Sequence, residues 1–242
     1  MPYEPHPVFD TPDRSALIWR YMSLVKLLDL LTSKGLVFAR CDRLGDPHEG
    51  TVSHENITIE RTNLGPDVAA ARSRARSQWR RHVAVNCWHL GRDESAAMWA
   101  LYGLNEEGIA VRTPIGRLMD SLKGSLPVYI GAVRYRDYAA PVTTTNTFGP
   151  FLYKRRNFEH KHEVRAMFGR IPIAGANGMG LAAETFLENE ERVNIDLPTL
   201  VDAIFASSGS PDWVREAIEQ VLHRFRLDIT VHSSAIDDPA IF

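Results

Sequence analysis

Leu17-Ile18-Trp19-Arg20-Tyr21-Met22-Ser23 sets the opening of the fold. Aromatic and apolar side chains dominate 17–22, the composition of a pleated, half-buried strand. Ser23 then suits a helix N-cap, and Leu24, Leu27, Leu28 and Leu31 follow at helical spacing. Gly35 closes that helix, and Leu36-Val37-Phe38-Ala39 reads as a second strand. Gly45-Asp46-Pro47 breaks regular structure beyond it. The chain opens strand, helix, strand.

Outward from this unit, strand and helix patterns keep mixing. The Ala-rich stretch 67–82 is helical, with Arg72, Arg76 and Arg80 four apart on one face. Strands are expected at 83–88, 109–111, 128–135 and 164–168, with Gly131 as a bulge in the third. Helices are expected from Asp93 or Ser95 to Tyr102, at 115–122 and at 151–162. The segment 139–150 reads as a loop, and the small, Gly-rich 174–183 as a flexible connection. A strand at 192–195, a short helix at 198–203, a strand at 204–206, a helix from Ser210-Pro211-Asp212 to Phe225 and a strand at 229–231 close the chain. Neither GxGxxG nor GKS/T appears, which disfavours a doubly wound nucleotide-binding sheet. The expected fold is one α+β domain over 17–242, a curved mixed sheet flanked by helices 24–33 and 94–102. A Pro-rich surface arm at 1–16 precedes it.

With 28 Lys plus Arg against 30 Asp plus Glu, the net charge of -2 creates no whole-protein field for nucleic acid or anionic membrane. Any polyanion site has to be local. Cys41 and Cys87 lie in apolar stretches and build no disulfide framework. Pro2, Glu4, Pro5, Pro7 and Asp10 stand where a signal peptide needs an apolar run. No stretch approaches the ~18 apolar residues of a membrane span. The expectation is a cytoplasmic protein without a membrane partner.

Charged and aromatic residues embedded in strand and helix starts point to a polar cleft. Arg20 and Tyr21 are strand neighbours and face opposite sides. Asp46-Pro47-His48-Glu49-Gly50 offers two carboxylates and an imidazole within one turn. Asn86-Cys87-Trp88-His89 leads to Glu94-Ser95-Ala96-Ala97-Met98-Trp99. There Trp99 and Tyr102 share a helix face, as core or as an aromatic wall for a nucleobase or nicotinamide. Lys154-Arg155-Arg156 precedes Glu163 and Arg165, which point to one strand face as a structural salt bridge or a catalytic pair. The basic run Arg72, Arg74, Arg76, Arg80 and Arg81, with Trp79, is a solvated face or a local contact for phosphate or nucleic acid.

The ordered set Trp19-Arg20-Tyr21-Met22-Ser23, Gly45-Asp46-Pro47-His48-Glu49-Gly50, Cys87-Trp88, Glu94-Ser95 with Met98-Trp99 and Tyr102, Lys154-Arg155, and Glu163-Val164-Arg165 resembles the DUF2971 family of bacterial proteins, over 17–234. That family name carries no activity with it. The opening strand, Leu-rich helix and second strand are also similar to the start of ADP-ribosyltransferase-like domains. This likeness implies NAD as substrate, held by Arg20 or Tyr21 with Ser23, and a nicotinamide wall from Trp99 or Tyr102. It implies Glu163 acting on the nicotinamide ribose. The chain departs from that pattern in lacking a clear His-x-Thr and, with Glu163-Val164-Arg165 at the later strand, an ExE pair.

The expected function is therefore NAD cleavage or ADP-ribosyl transfer, on a small-molecule nucleotide. Glu163, with Arg165 and Glu94, forms the catalytic set, and Arg155 joins the residues that hold NAD. Glu163 stabilises the cationic sugar as nicotinamide leaves, and Arg20 neutralises the pyrophosphate. A nucleic-acid or protein acceptor approaches past the basic run at 72–81. Two rival readings stand beside it. One is a divalent-metal nuclease on Asp46, Glu49, Glu159 and Lys161. The other is a non-catalytic binding or regulatory module, in which the charged pairs are structural.

Overall fold

Strand β1 (Leu17–Ser23), helix α1 (Leu24–Ser33) and strand β2 (Gly35–Arg40) form the opening unit. The computed structural model describes residues 2–102, 108–138, 140–141, 146–170 and 186–236. Ser23 caps α1 by accepting from the Lys26 N–H at 3.4 Å. Lys34, at φ 50, takes the left-handed closing position, and Gly35 already belongs to β2. Leu27, Leu30 and Leu31 bury one stripe of α1 against the sheet.

Helices α2 (His54–Leu64) and α3 (Pro66–Trp79) come next, then β3 (Val83–Leu90), α4 (Ala96–Tyr102), β4 (Gly108–Pro114) and α5 (Ile115–Ser121). They are followed by β5 (Tyr129–Ala132), β6 (Arg134–Arg136), β7 (Tyr153–Arg155), β8 (Glu163–Gly169) and β9 (Glu190–Asn194). The chain continues through α6 (Leu197–Leu200), β10 (Ala203–Ala206), α7 (Asp212–Arg224) and β11 (Thr230–Ser233). Nine of these strands make one mixed sheet, in the order β11-β10-β4-β1-β3-β2-β9, with β8 also on β3 and β5 on β8. Within it only β10 and β11 run parallel; β6 and β7 form a separate parallel pair. The fold is α+β.

The sheet forks at β3. One edge of β3 pairs with β8, from Val83 opposite Gly169 to His89 opposite Glu163. The other edge is shared. Its Ala84 and Val85 take β2, while His89 and Leu90 take β1. Continued in register, β1 and β2 would claim the same residues, Asn86 to Trp88. They splay apart instead, β1 onto β4 and β2 onto β9. Asn86 bridges the gap: its amide donates to the Val37 carbonyl at 2.7 Å, and its Oδ1 accepts from Trp88 Nε1 at 2.6 Å. The first bond satisfies a backbone carbonyl that the missing β2–β3 ladder leaves without a partner, and the second holds the Trp88 indole on β3.

On one sheet face Ile18, Met22, Trp88, Val164 and Phe168 pack with α1. On the other, Trp19 and Tyr21 pack with Met98 and Trp99 of α4 and with Phe205. Four local expectations are corrected. Residues 151–162 are not a helix but two 3-10 turns, Gly149–Leu152 and Arg156–Lys161, on either side of β7. The extended β7 carries Lys154 inward to an ion pair that a helix would not reach. The strand expected at 128–135 breaks at Val133, whose N–H donates to the Glu163 carbonyl. Gly131 makes no bulge; it pairs in register with Arg165, and a Cβ there would lie 3.0 Å from the Phe9 ring. The N-terminal arm does more than lie on the surface, since Phe9 is buried and Ala132 N–H donates to the Asp10 carbonyl. The connection expected at 174–183 lies outside the described residues. No helix among those described is long and apolar enough to cross a membrane.

Asn86→Ala removes both bridging bonds and strands a carbonyl and an indole N–H. It should cost about 2–4 kcal/mol, seen as a lower urea midpoint at unchanged m-value. An unchanged midpoint would show that the fork needs no bridge.

Candidate functional site

The fork leaves a cleft of about 880 Å³, within the range of small-molecule sites. Asn86, Cys87 and Trp88 of β3 line it, with Arg20, Tyr21 and Met22 from β1 and Leu36 and Val37 from β2. Tyr102, Phe158 and Lys161 also contribute, as do Glu49, Lys154, Glu163 and Arg165.

Those last four form a closed ring of alternating charge. Arg165 donates through Nε to Glu163 at 2.6 Å, and through its two terminal nitrogens to Glu49 at 2.8 and 2.9 Å. Lys154 Nζ lies 2.9 Å from Glu49 and 2.9 Å from Glu163. Arg165 also donates to the Phe151 carbonyl. All four ring residues are buried, Arg165 completely. Burial alone would raise the Glu163 pKa, but Arg165 and Lys154 overrule it and hold the carboxyl far below the usual range. Lys154 is driven the other way; burial opposes its charge, yet Glu163 raises its pKa. Two cations meet two carboxylates, so the ring is neutral as a whole.

Arg20 has no such partner. Its guanidinium sits 5.8 Å over the Trp88 ring, and its Nη1 is buried without a hydrogen bond. No described carboxylate pairs with it. Burial pulls its pKa down to about 10, so it stays protonated at neutral pH. A partly desolvated cation without a counter-charge is costly, and an incoming anion would remove that cost.

The structure distributes the other sequence candidates unevenly. Tyr21 and Tyr102 line the cleft, as do Arg20, Glu163 and Arg165. The Tyr21 hydroxyl accepts from the Ser95 N–H at 2.8 Å, and burial pushes its pKa up to about 12. Ser23 is occupied in capping α1. Trp99 stands behind Tyr21, ring to ring at 5.0 Å, and its indole donates to Glu94 at 2.8 Å. Glu94 also accepts from the Ala235 N–H. Arg155 donates to Asp46 at 2.9 Å. Glu94, Trp99, Ser23 and Arg155 thus sit beside the cleft rather than on its lining.

Two residues gain weight that the sequence reading did not give them. His89 is directly cross-strand from Glu163, and its Nδ1 meets the Lys161 carbonyl at 2.8 Å. Asn86 holds the fork open. The strand register that places both is set by tertiary pairing, and no local sequence pattern announces it. The nuclease set is not assembled: Glu49 commits both oxygens to Arg165, Asp46 pairs with Arg155, and Glu159 is exposed. Among the described residues no group of three His, Cys, Asp or Glu is placed to hold a metal ion. In the basic run, Arg76 is bidentate to Glu60 at 2.9 Å, Arg81 lies over Phe186, and the Trp79 indole donates to the Thr147 carbonyl. No protein-family model matches the chain, and no curated protein matches its sequence.

The ring fixes an acid limit. Because folding depresses the Glu163 pKa, its stabilisation is present above the usual Glu range near ~4.3 and is lost as pH falls below it. Arg165→Met, which leaves buried carboxylates short of a counter-charge, should cost about 3–5 kcal/mol at pH 7 and flatten this acid slope. Urea midpoints at pH 7 and pH 4 measure both. Equal midpoints for variant and wild type would show that the ring adds nothing.

Proposed function

We propose that the cleft binds NAD and breaks its nicotinamide–ribose bond, passing ADP-ribose to an acceptor or to water. The observation that carries this reading is the unpaired Arg20 guanidinium, in the same cleft as a carboxylate that its neighbours keep ionised. Arg20 meets the pyrophosphate and exchanges a costly unpaired state for charge-assisted hydrogen bonds. Tyr21 and Tyr102 bound the nicotinamide ring. Glu163 stabilises positive charge on the ribose as the neutral base departs. Its two oxygens accept from Arg165 and Lys154, which leaves lone pairs for a ribose hydroxyl. The resemblance to ADP-ribosyltransferase-like domains supports the same reading. A nucleic-acid or protein acceptor would approach along α3.

The engagement of both Glu163 oxygens by Arg165 and Lys154 favours a second reading, a module that binds the nucleotide without turning it over. Nicotinamide release separates the two. Glu163→Gln is a poor probe, because its amide would face Arg165 or Lys154 and disturb the ring as well as the charge. Arg20→Met is better. It keeps the bulk and removes an unpaired cation, so the unliganded protein should be at least as stable as wild type. NAD affinity, by calorimetry, should fall about 10- to 100-fold, the value of one or two charge-assisted hydrogen bonds. Unchanged affinity would remove Arg20, and with it the NAD reading. Tight binding without release would leave the module.

A further inference from the structure

We propose that His89 is the general base of this cleft: its Nε2 takes the proton from the acceptor hydroxyl, or from water, as the bond to the ribose forms. This rests on the NAD reading and adds the group that activates the acceptor. In the step, the ribose C1′–N bond breaks and its electron pair leaves with nicotinamide, which departs neutral. The acceptor oxygen bonds to C1′, and its proton passes to Nε2 and then to solvent.

The geometry supplies each requirement. A carbonyl oxygen only accepts, so the 2.8 Å contact with Lys161 O fixes the proton on Nδ1 and leaves Nε2 as the lone-pair nitrogen. No described residue hydrogen-bonds Nε2. His89 sits in β3 directly opposite Glu163, on the sheet face that also carries Cys87 and Arg165. Cross-strand neighbours of this kind stand about 4.5–5.5 Å apart at Cβ, so the base adjoins the carboxylate that steadies the sugar. Gly91 keeps the ring's outer edge free; a Cβ there would lie 3.1 Å from Nε2.

The groups facing the imidazole fit a base that is neutral at physiological pH. They are Glu163 from β8, Tyr21 from β1 at 6.2 Å, Cys87 on its own strand, and Lys161 and His162 from the turn, the latter ring at 6.0 Å. Burial lowers the His89 pKa, and the neighbouring His162 adds to that, although the Lys161 carbonyl opposes it. The base is thus available above its depressed pKa and is lost as pH falls through it.

Spectroscopy and kinetics on the full chain test this. Nitrogen NMR of the free protein should find His89 neutral, with its proton on Nδ1; a proton on Nε2 overturns the proposal whatever the substrate. With NAD as substrate and water as acceptor, His89→Asn keeps a donor for Lys161 O but carries no base. Its kcat should fall about 100-fold or more, its Kd for NAD should hold, and added imidazole should restore part of the rate. His89→Gln serves the same purpose should the Asn variant not fold. A variant as fast as wild type, or one whose affinity falls as far as its rate, overturns His89 alone and leaves the NAD reading standing. A wild type that binds NAD but releases no nicotinamide overturns both the base and the catalytic reading.

Discussion

Two strands cannot pair with the same stretch of one edge, and β1 and β2 both reach for the middle of β3. That conflict is resolved by a fork, and the fork creates the cleft. Each strand keeps a short anchor on β3 and spends its remaining hydrogen bonds on β4 or β9. Helix α1 joins the two diverging strands, so its Leu-rich stripe covers the opening on one face. Asn86 replaces one lost ladder bond with a side-chain bond to the Val37 carbonyl and uses its oxygen to hold the Trp88 indole. Side chains of β1, β2, β3 and β8 line the cavity made this way, together with residues of α1, α4 and the Gly45–Gly50 turn.

Charge is handled in two opposite ways around that cavity. The Glu49–Arg165–Glu163–Lys154 ring is closed, neutral and hydrogen-bonded at every corner, the condition under which buried ions are tolerated. It ties the Gly45–Gly50 turn region, β7 and β8 together through Glu49, Lys154 and the pair on β8. Arg20, on the first strand, is left without a carboxylate in the same space. Stability alone would favour an apolar side chain at that position. A binding role explains the exception, because a ligand anion supplies what the protein withholds.

Much of the scaffold was legible in the sequence because it is written in local periodicity. The opening strand–helix–strand, the strands at β3, β4 and β8, and helices α4, α5 and α7 follow from apolar spacing and caps. The segment 151–162 was misread because Arg, Glu and Lys at helical intervals look like a solvated helix, whereas Lys154 is committed to a buried ring. Helix α2 leaves no periodic signal in the sequence, since it buries no residue and so has no apolar stripe. For the site, the Glu163–Arg165 pair could be read from alternation in a strand. Glu49 could not be recognised as their partner, because 116 residues separate it from Arg165. Nor could spacing distinguish Trp99, which braces Tyr21, from Tyr102, which lines the cleft. Register and pairing decide such matters, and neither is local.

The central claim is that the fork presents Arg20 as the binding group for a nucleotide anion. A crystal structure of the protein saturated with ADP-ribose tests it most directly. The account predicts a pyrophosphate oxygen within hydrogen-bond distance of Arg20 Nη1, between β1 and β2, with the terminal ribose toward Glu163 and His89. ADP-ribose bound elsewhere, or Nη1 still without a partner at full occupancy, would contradict it.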